Sequence, residues 1–225
     1  MKRIIALLLL SLFIPTSYVT AEVLQKSSSQ SLTTDLQKDV KSKIGLLKIP
    51  FIKNEAQINN VGVKYYVNTI SGNVFVADDS ITYSLFNKPE SEIKGWIVKE
   101  KFIGSKKTLV EGIKESPTKV NFFKGKENKN WKRNIPTYEV ISFGEVYDHI
   151  KLDLKAYGKN IEKIFIVEKG GNPEDIAILI EGARVLKINL EGELELETGV
   201  GTLKMTPPLC LPGDRWEKGA SRHGL

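Results

Sequence analysis

Between Val63 and Met205 the apolar residues of this chain recur at every second position, in short runs broken by Gly, Pro and Asn. A period of two places alternate side chains on opposite faces of an extended backbone, so this region is committed to half-buried β-strands rather than amphipathic helices. Residues 63–69 and 73–77 flank Ser71-Gly72 as a hairpin, with 81–86 as the next neighbour. Residues 96–102 and 118–123 continue the series. Ile150, Leu152, Leu154 and Ala156 alternate with Lys151, Asp153 and Lys155, giving one dry and one wet face. Tyr157-Gly158-Lys159-Asn160 turns into residues 161–167, and Gly170-Gly171-Asn172-Pro173 breaks the chain before 176–180. Two further arms, 185–190 and 193–197, meet at Glu191-Gly192, with Leu194 and Leu196 opposed to Glu193, Glu195 and Glu197. The spacing predicts an all-β fold, an antiparallel β-sandwich of about ten to twelve short strands. It does not order them.

The N-terminus has a different character. Lys2 and Arg3 precede an apolar run, residues 4–14, and Val19-Thr20-Ala21 is a small-residue cleavage pattern. Residues 1–21 therefore read as a secretory signal peptide, with the mature chain beginning at Glu22 and the product secreted or held at the cell surface. The apolar run is far short of the roughly 20 residues that span a bilayer. Residues 22–48 form a polar leader. Within it Thr34-Asp35-Leu36-Gln37 is a capping box, and Leu36, Val40 and Ile44 recur every four residues before Gly45, which predicts one short helix. Residues 49–208 are then the sandwich domain. The only cysteine is Cys210, so stability must come from a hydrophobic core rather than disulfides. The formal charge of +6 falls by two when Lys2 and Arg3 leave, and no basic stripe concentrates what remains. Nucleic acid is therefore not an expected partner.

Catalytic patterns are few and weak. Asp78-Asp79, Glu145 with Asp148, and Glu174-Asp175 are paired carboxylates, the raw material of glycoside hydrolysis, but each sits beside turn residues where acids commonly cap and turn the chain. His149 and His223 lack partners at zinc-like spacing. No G-x-S-x-G elbow occurs, and Gly199-Val200-Gly201 reads as a hairpin turn rather than a phosphate loop. No catalytic residue, metal or cofactor is expected. One segment is a candidate binding loop: Lys124, Lys126, Lys129, Trp131, Lys132 and Arg133 combine cations with an aromatic ring that could stack on a sugar or an acidic polymer. The preferred alternative has Trp131 tucked into the sandwich as a buried anchor with the lysines solvated.

The order of several short motifs resembles a known family. These are Pro50-Phe51-Ile52-Lys53-Asn54 with Gln57; Phe123 with Gly125; Asn130-Trp131; Asn134-Ile135-Pro136-Thr137-Tyr138; Val146-Tyr147 with Ile150; Tyr157-Gly158; Gly171-Asn172-Pro173; and Glu181-Gly182-Ala183. Together they resemble the uncharacterised N-terminal domain of secreted, SBBP-type β-propeller-repeat proteins of bacteria and archaea, over residues about 49 to 208. Ala56 departs from the glycine that the resemblance puts before Gln57. The resemblance implies a secreted β-sandwich that precedes propeller repeats or other extracellular modules, and it implies no reaction.

The alternation stops at Pro207-Pro208, and residues 209–225 resemble nothing in that family. One codon choice for this tail, read one base later, encodes Phe-Ala-Tyr-Gln-Glu-Ile-Asp-Gly-Lys-Arg-Val-Pro-Val, two alternating arms about an Asp-Gly turn. The expectation is an out-of-frame tail on a truncated member, with Cys210 and Trp216 outside the core. The expected function is a non-catalytic extracellular module for adhesion, spacing or interaction. Its partners would be other extracellular domains or cell-envelope components, polysaccharide among them. The alternative is a secreted polysaccharide-binding or polysaccharide-processing protein.

Overall fold

The computed structural model describes residues 4–11, 47–87, 94–128 and 131–212. The leader helix expected after Thr34 lies outside them, as do Lys129, Trp216 and His223. The described chain is all-β. Its strands are β1 (Ile4–Ser11), β2 (Phe51–Lys53), β3 (Tyr65–Thr69), β4 (Gly72–Ala77), β5 (Ser80–Asn87), β6 (Lys94–Phe102), β7 (Glu111–Phe122), β8 (Lys132–Tyr147), β9 (Ile150–Ala156), β10 (Asn160–Val167), β11 (Ile178–Glu181), β12 (Val185–Ile188), β13 (Leu194–Thr198), β14 (Gly201–Met205) and β15 (Leu209–Pro212). Pairing follows the path β11-β6-β5-β4-β3-β2-β8-β9-β10-β1-β14-β13-β12, with β7 on β8 and β15 on β1. Without β1 and β15 this is a ten-stranded antiparallel sheet and a three-stranded one.

The long sheet doubles over at β8, whose second half pairs with β9 while Thr137 and Tyr138 pair with β2. Inward positions of β4 and β5 (Val74, Val76, Ile81, Tyr83, Leu85) and of β9 and β10 (Leu152, Leu154, Ile161, Phe165) belong to one buried cluster, which Leu196, Leu203 and Met205 complete from the small sheet. Each such side chain contributes about 1.5–3 kcal/mol on burial, so the core stands in for the disulfides that the sequence lacks. Across it the two layers also share a charge pair. Lys163 Nζ on β10 donates to both carboxylate oxygens of Glu100 on β6 at 2.7 and 2.8 Å, both side chains wholly buried.

Five strands, β1, β2, β8, β14 and β15, have no counterpart among the segments read from the sequence, and β8 is the longest of them. It runs sixteen residues through Pro136 and Gly144, both usual strand breakers. Pro136 is tolerated where the β7–β8 register slips, and Gly144, at φ 66°, makes the bulge where the β8–β9 register slips. Residues 209–212, expected to be tail, form β15 on β1, and Cys210 is exposed.

The loop after β2 explains the Asn54…Gln57 motif. Asn54 Oδ1 accepts from Ile58 N at 3.1 Å while its Nδ2 donates to Val63 O at 2.9 Å, and Gln57 Nε2 donates to Lys53 O at 3.0 Å. Side-chain amides thus satisfy backbone groups that the loop's own backbone bonds, such as Asn54 N to Lys64 O and Val63 N to Asn60 O, leave over. Ala56 sits among them at φ 73°, a left-handed conformation that costs a non-glycine residue roughly 1–2 kcal/mol. Ala56→Gly is therefore expected to stabilise the protein by about 0.5–1 kcal/mol, the strain relieved less the added flexibility of the unfolded chain. A chemical denaturation curve checks it, and an unchanged or lower midpoint would contradict it.

Candidate functional site

The β7–β8 hairpin ends in a cluster built by the chain's own turn chemistry. Asn121 Oδ1 accepts from Asn134 N at 2.9 Å, which holds Asn134 at φ 57° and re-aims the start of β8. Trp131 N donates to Asn128 O at 3.0 Å, and its indole Nε1 donates to Gly125 O at 3.3 Å. Gly125, at φ 70°, gives the loop the sharp bend that brings its carbonyl under the indole. The result sets Phe123 and Trp131 edge to face, with ring centroids 5.1 Å apart. The Arg133 guanidinium carbon lies 5.8 Å from the Phe123 centroid and 5.6 Å from that of Trp131, within cation–π range of both.

This placement corrects the expectation that Trp131 is a buried anchor. Its ring is only half-buried and stands outside the core cluster, while Phe123 keeps 57% of its surface exposed. The reason is geometric: β7 and β8 extend past their neighbours, so their tip has no opposing sheet to bury it. Lys124, Lys126 and Arg133 are exposed around the rings and Lys132 is half-buried. Among the described residues no carboxylate forms an ion pair with any of these four cations. An amphipathic ring pair flanked by such cations can stack on a sugar face and attract carboxylate or sulfate groups.

The paired carboxylates have other employment. Asp78 Oδ1 accepts from Val110 N at 3.1 Å, and Asp79 Oδ1 accepts from Ser80 Oγ at 2.7 Å. Glu145 and Asp148 share Lys106, with 2.8 Å from its ammonium to Asp148. Hydrogen bonds from that ammonium hold both carboxyls below their ordinary range, the opposite of what a general acid needs. Glu174 and Asp175 lie in a 3-10 turn capped by Asn172, whose Oδ1 accepts from Glu174 N at 3.2 Å. His149 takes φ 59° in the β8–β9 turn, its ring against Gly170. A shallow recess lined by Ser71, Leu85, Thr198, Val200, Thr202 and Leu203 contains no carboxylate. Among the described residues no cluster of three or more His, Cys, Asp or Glu side chains could hold a metal ion, and no helix is long and apolar enough to cross a membrane.

Two arrangements were not legible in the sequence. On the face of β9 expected to be wet, and at Glu162 opposite it on β10, burial raises the carboxyls of Asp153 and Glu162 and lowers the Lys155 ammonium. Tyr157 Oη donates to Glu162 Oε2 at 3.3 Å, and burial pushes its phenol up to about 12. The sequence signal was present, since Glu162 faces Lys155 across the ladder, but alternation alone does not reveal which polar face is covered. The second is a lock around Trp96. Its indole Nε1 donates to Gly182 O at 2.6 Å, and the Arg184 guanidinium carbon stands 4.8 Å from its ring centroid. A Cβ on Gly199 would fall 2.4 Å from the ring. Two glycines and an arginine from distant segments thus serve one side chain.

None of the curated proteins and none of the solved structures matches this chain. A family model described as a domain of unknown function matches residues 51–212, from β2 through β15 and including every residue of the hairpin tip. The chain therefore belongs to the DUF7948 family.

Proposed function

We propose that this domain is a non-catalytic extracellular interaction module that contacts an acidic polysaccharide through the β7–β8 hairpin tip. The observation that carries the reading is the exposed Phe123–Trp131–Arg133 cluster, held by local hydrogen bonds and flanked by Lys124, Lys126 and Lys132. Rings supply the stacking surface and cations read the charge. The module sits near the front of a longer secreted chain, ahead of propeller repeats, and a change of reading frame near Leu209 separates it from them. Support for that part is the motif order and the β-patterned content of the shifted frame. A nucleotide sequence whose shifted frame soon meets stop codons would end it.

Polygalacturonate is the probe for the contact. Trp131→Ala and Arg133→Ala should each weaken its binding to the folded chain about tenfold, the equivalent of about 1.4 kcal/mol, and added salt should weaken the parent further. Because the tip lies outside the core, either change should cost under about 1 kcal/mol of stability, far below the 3–5 kcal/mol of a core aromatic. Calorimetric titration beside thermal melts reads both quantities. Unchanged affinity in both variants would overturn the contact, and a large loss of stability from Trp131→Ala would return that residue to a structural role.

A further inference from the structure

Strand β1 lies between β10 on one side and β14 and β15 on the other. One edge pairs with β10 along its whole length, from Ile4 opposite Val167 to Ser11 opposite Asn160. The other pairs with β15 from Ile4 to Leu7 and with β14 at Leu10 and Ser11. In the strand path β1 is the link between the long sheet and the three-stranded one. Yet its residues are the apolar heart of the segment that reads as an export signal cleaved after Ala21. Cleavage would leave β10 with a row of unpaired N–H and C=O groups along its whole length, faced only by the end of β14, since β15 pairs with β1 alone.

We propose that the mature chain is a strand acceptor, and that the slot along β10, with the end of β14 across it, takes an extended apolar segment of a polypeptide partner, antiparallel to β10. The chemistry of the occupant follows from the walls. On β10, Ile161, Lys163 and Phe165 of one face and Glu162 and Ile164 of the other are all buried, as are Leu203 and Met205 of β14. A strand covered on both faces is continuously apolar rather than alternating. Ile4–Ser11, IIALLLLS, is such a run, and its eight residues span about 26 Å at roughly 3.3 Å each. Main-chain hydrogen bonds along the β10 edge supply the affinity, so the slot selects apolar character and length over a particular sequence.

The inference rests on removal of residues 1–21, and its test is arranged so that the two fail separately. Intact mass of exported protein reports the cleavage. The slot is tested on residues 22–225 made directly and titrated with a peptide of residues 3–13 carrying solubilising lysines at its C-terminus. Amides of residues 160–167 should exchange at least tenfold more slowly with the peptide bound; if residues 22–225 do not fold alone, the peptide should restore the fold. Of two peptides, one N-methylated at residues 5, 7 and 9 and one at 4, 6 and 8, one should fail and the other bind, because only one set of alternate N–H groups faces β10. Unchanged exchange at 160–167 would overturn the proposal, whether the chain starts folded or unfolded. So would equal binding by the two N-methylated peptides, or self-association of 22–225 that the peptide does not reverse, which would assign the slot to a second copy.

Discussion

Lys163→Met should destabilise the fold by about 3–5 kcal/mol, the largest loss expected from a single replacement here. The ammonium is wholly buried against a wholly buried Glu100 carboxylate, and among the described residues that carboxylate has one other partner, Tyr83 Oη at 3.3 Å. Deleting the lysine strands a negative charge among Tyr83, Val98 and Phe165, all core residues. Either the carboxylate stays charged without its partner or it takes up a proton, and both cost free energy. Burial and the nearby carboxylate hold the Tyr83 phenol well above its ordinary range, so it stays neutral and offers the orphaned carboxylate one hydrogen bond and no charge. The loss comes from the orphaned partner, so Lys163→Met with Glu100→Leu should recover most of it. Urea unfolding of the single and double variants checks this. A loss under about 1 kcal/mol in the single variant, or no recovery in the double, would contradict it.

Gly182→Ala comes next, at about 3 kcal/mol. Gly182 lies at φ 89°, and a Cβ there would fall 2.2 Å from Ile97 O and 3.4 Å from Val98 Cα. That obstacle is the backbone of β6, which pairs with β5 along its length and cannot swing aside like a side chain. The left-handed conformation adds roughly 1–2 kcal/mol, and the overpacking roughly 1–3 kcal/mol. Displacing Gly182 also moves the carbonyl that the Trp96 indole donates to. The variant should therefore lose stability and near-ultraviolet tryptophan dichroism together. A well-folded Gly182→Ala with an unchanged Trp96 signal would show that the lock is loose.

How much of this was readable in advance depended on whether the signal was local. Period-two runs are local, and β3, β4, β5, β6, β9 and β10 lie close to where alternation puts them. The β8 strand was missed because its two breakers are excused by register slips, which are a property of the pair rather than of the strand. The Ala56 position was legible through resemblance alone: an expected glycine marks a backbone at positive φ, and the chain bears that conformation with alanine. The Lys163–Glu100 pair was not legible, since 63 residues separate its members and a lone lysine in an apolar run looks like an edge position. At the candidate site the sequence named Trp131 as a buried anchor, and the structure sets it half-buried at the hairpin tip, outside the core cluster. Aromaticity favours burial on average, but nothing in composition tells how far a hairpin extends beyond its neighbours.

The central claim is that the β7–β8 tip is the contact surface, and a residue-resolved map of ligand binding tests it most directly. Amide chemical shifts of the folded chain, followed during titration with an oligogalacturonate, should move at residues 123–128 and 131–134, together with the Trp131 indole N–H that now donates to Gly125 O. Shifts concentrated instead around Asp153 and Glu162, or none at saturating ligand, would contradict the account.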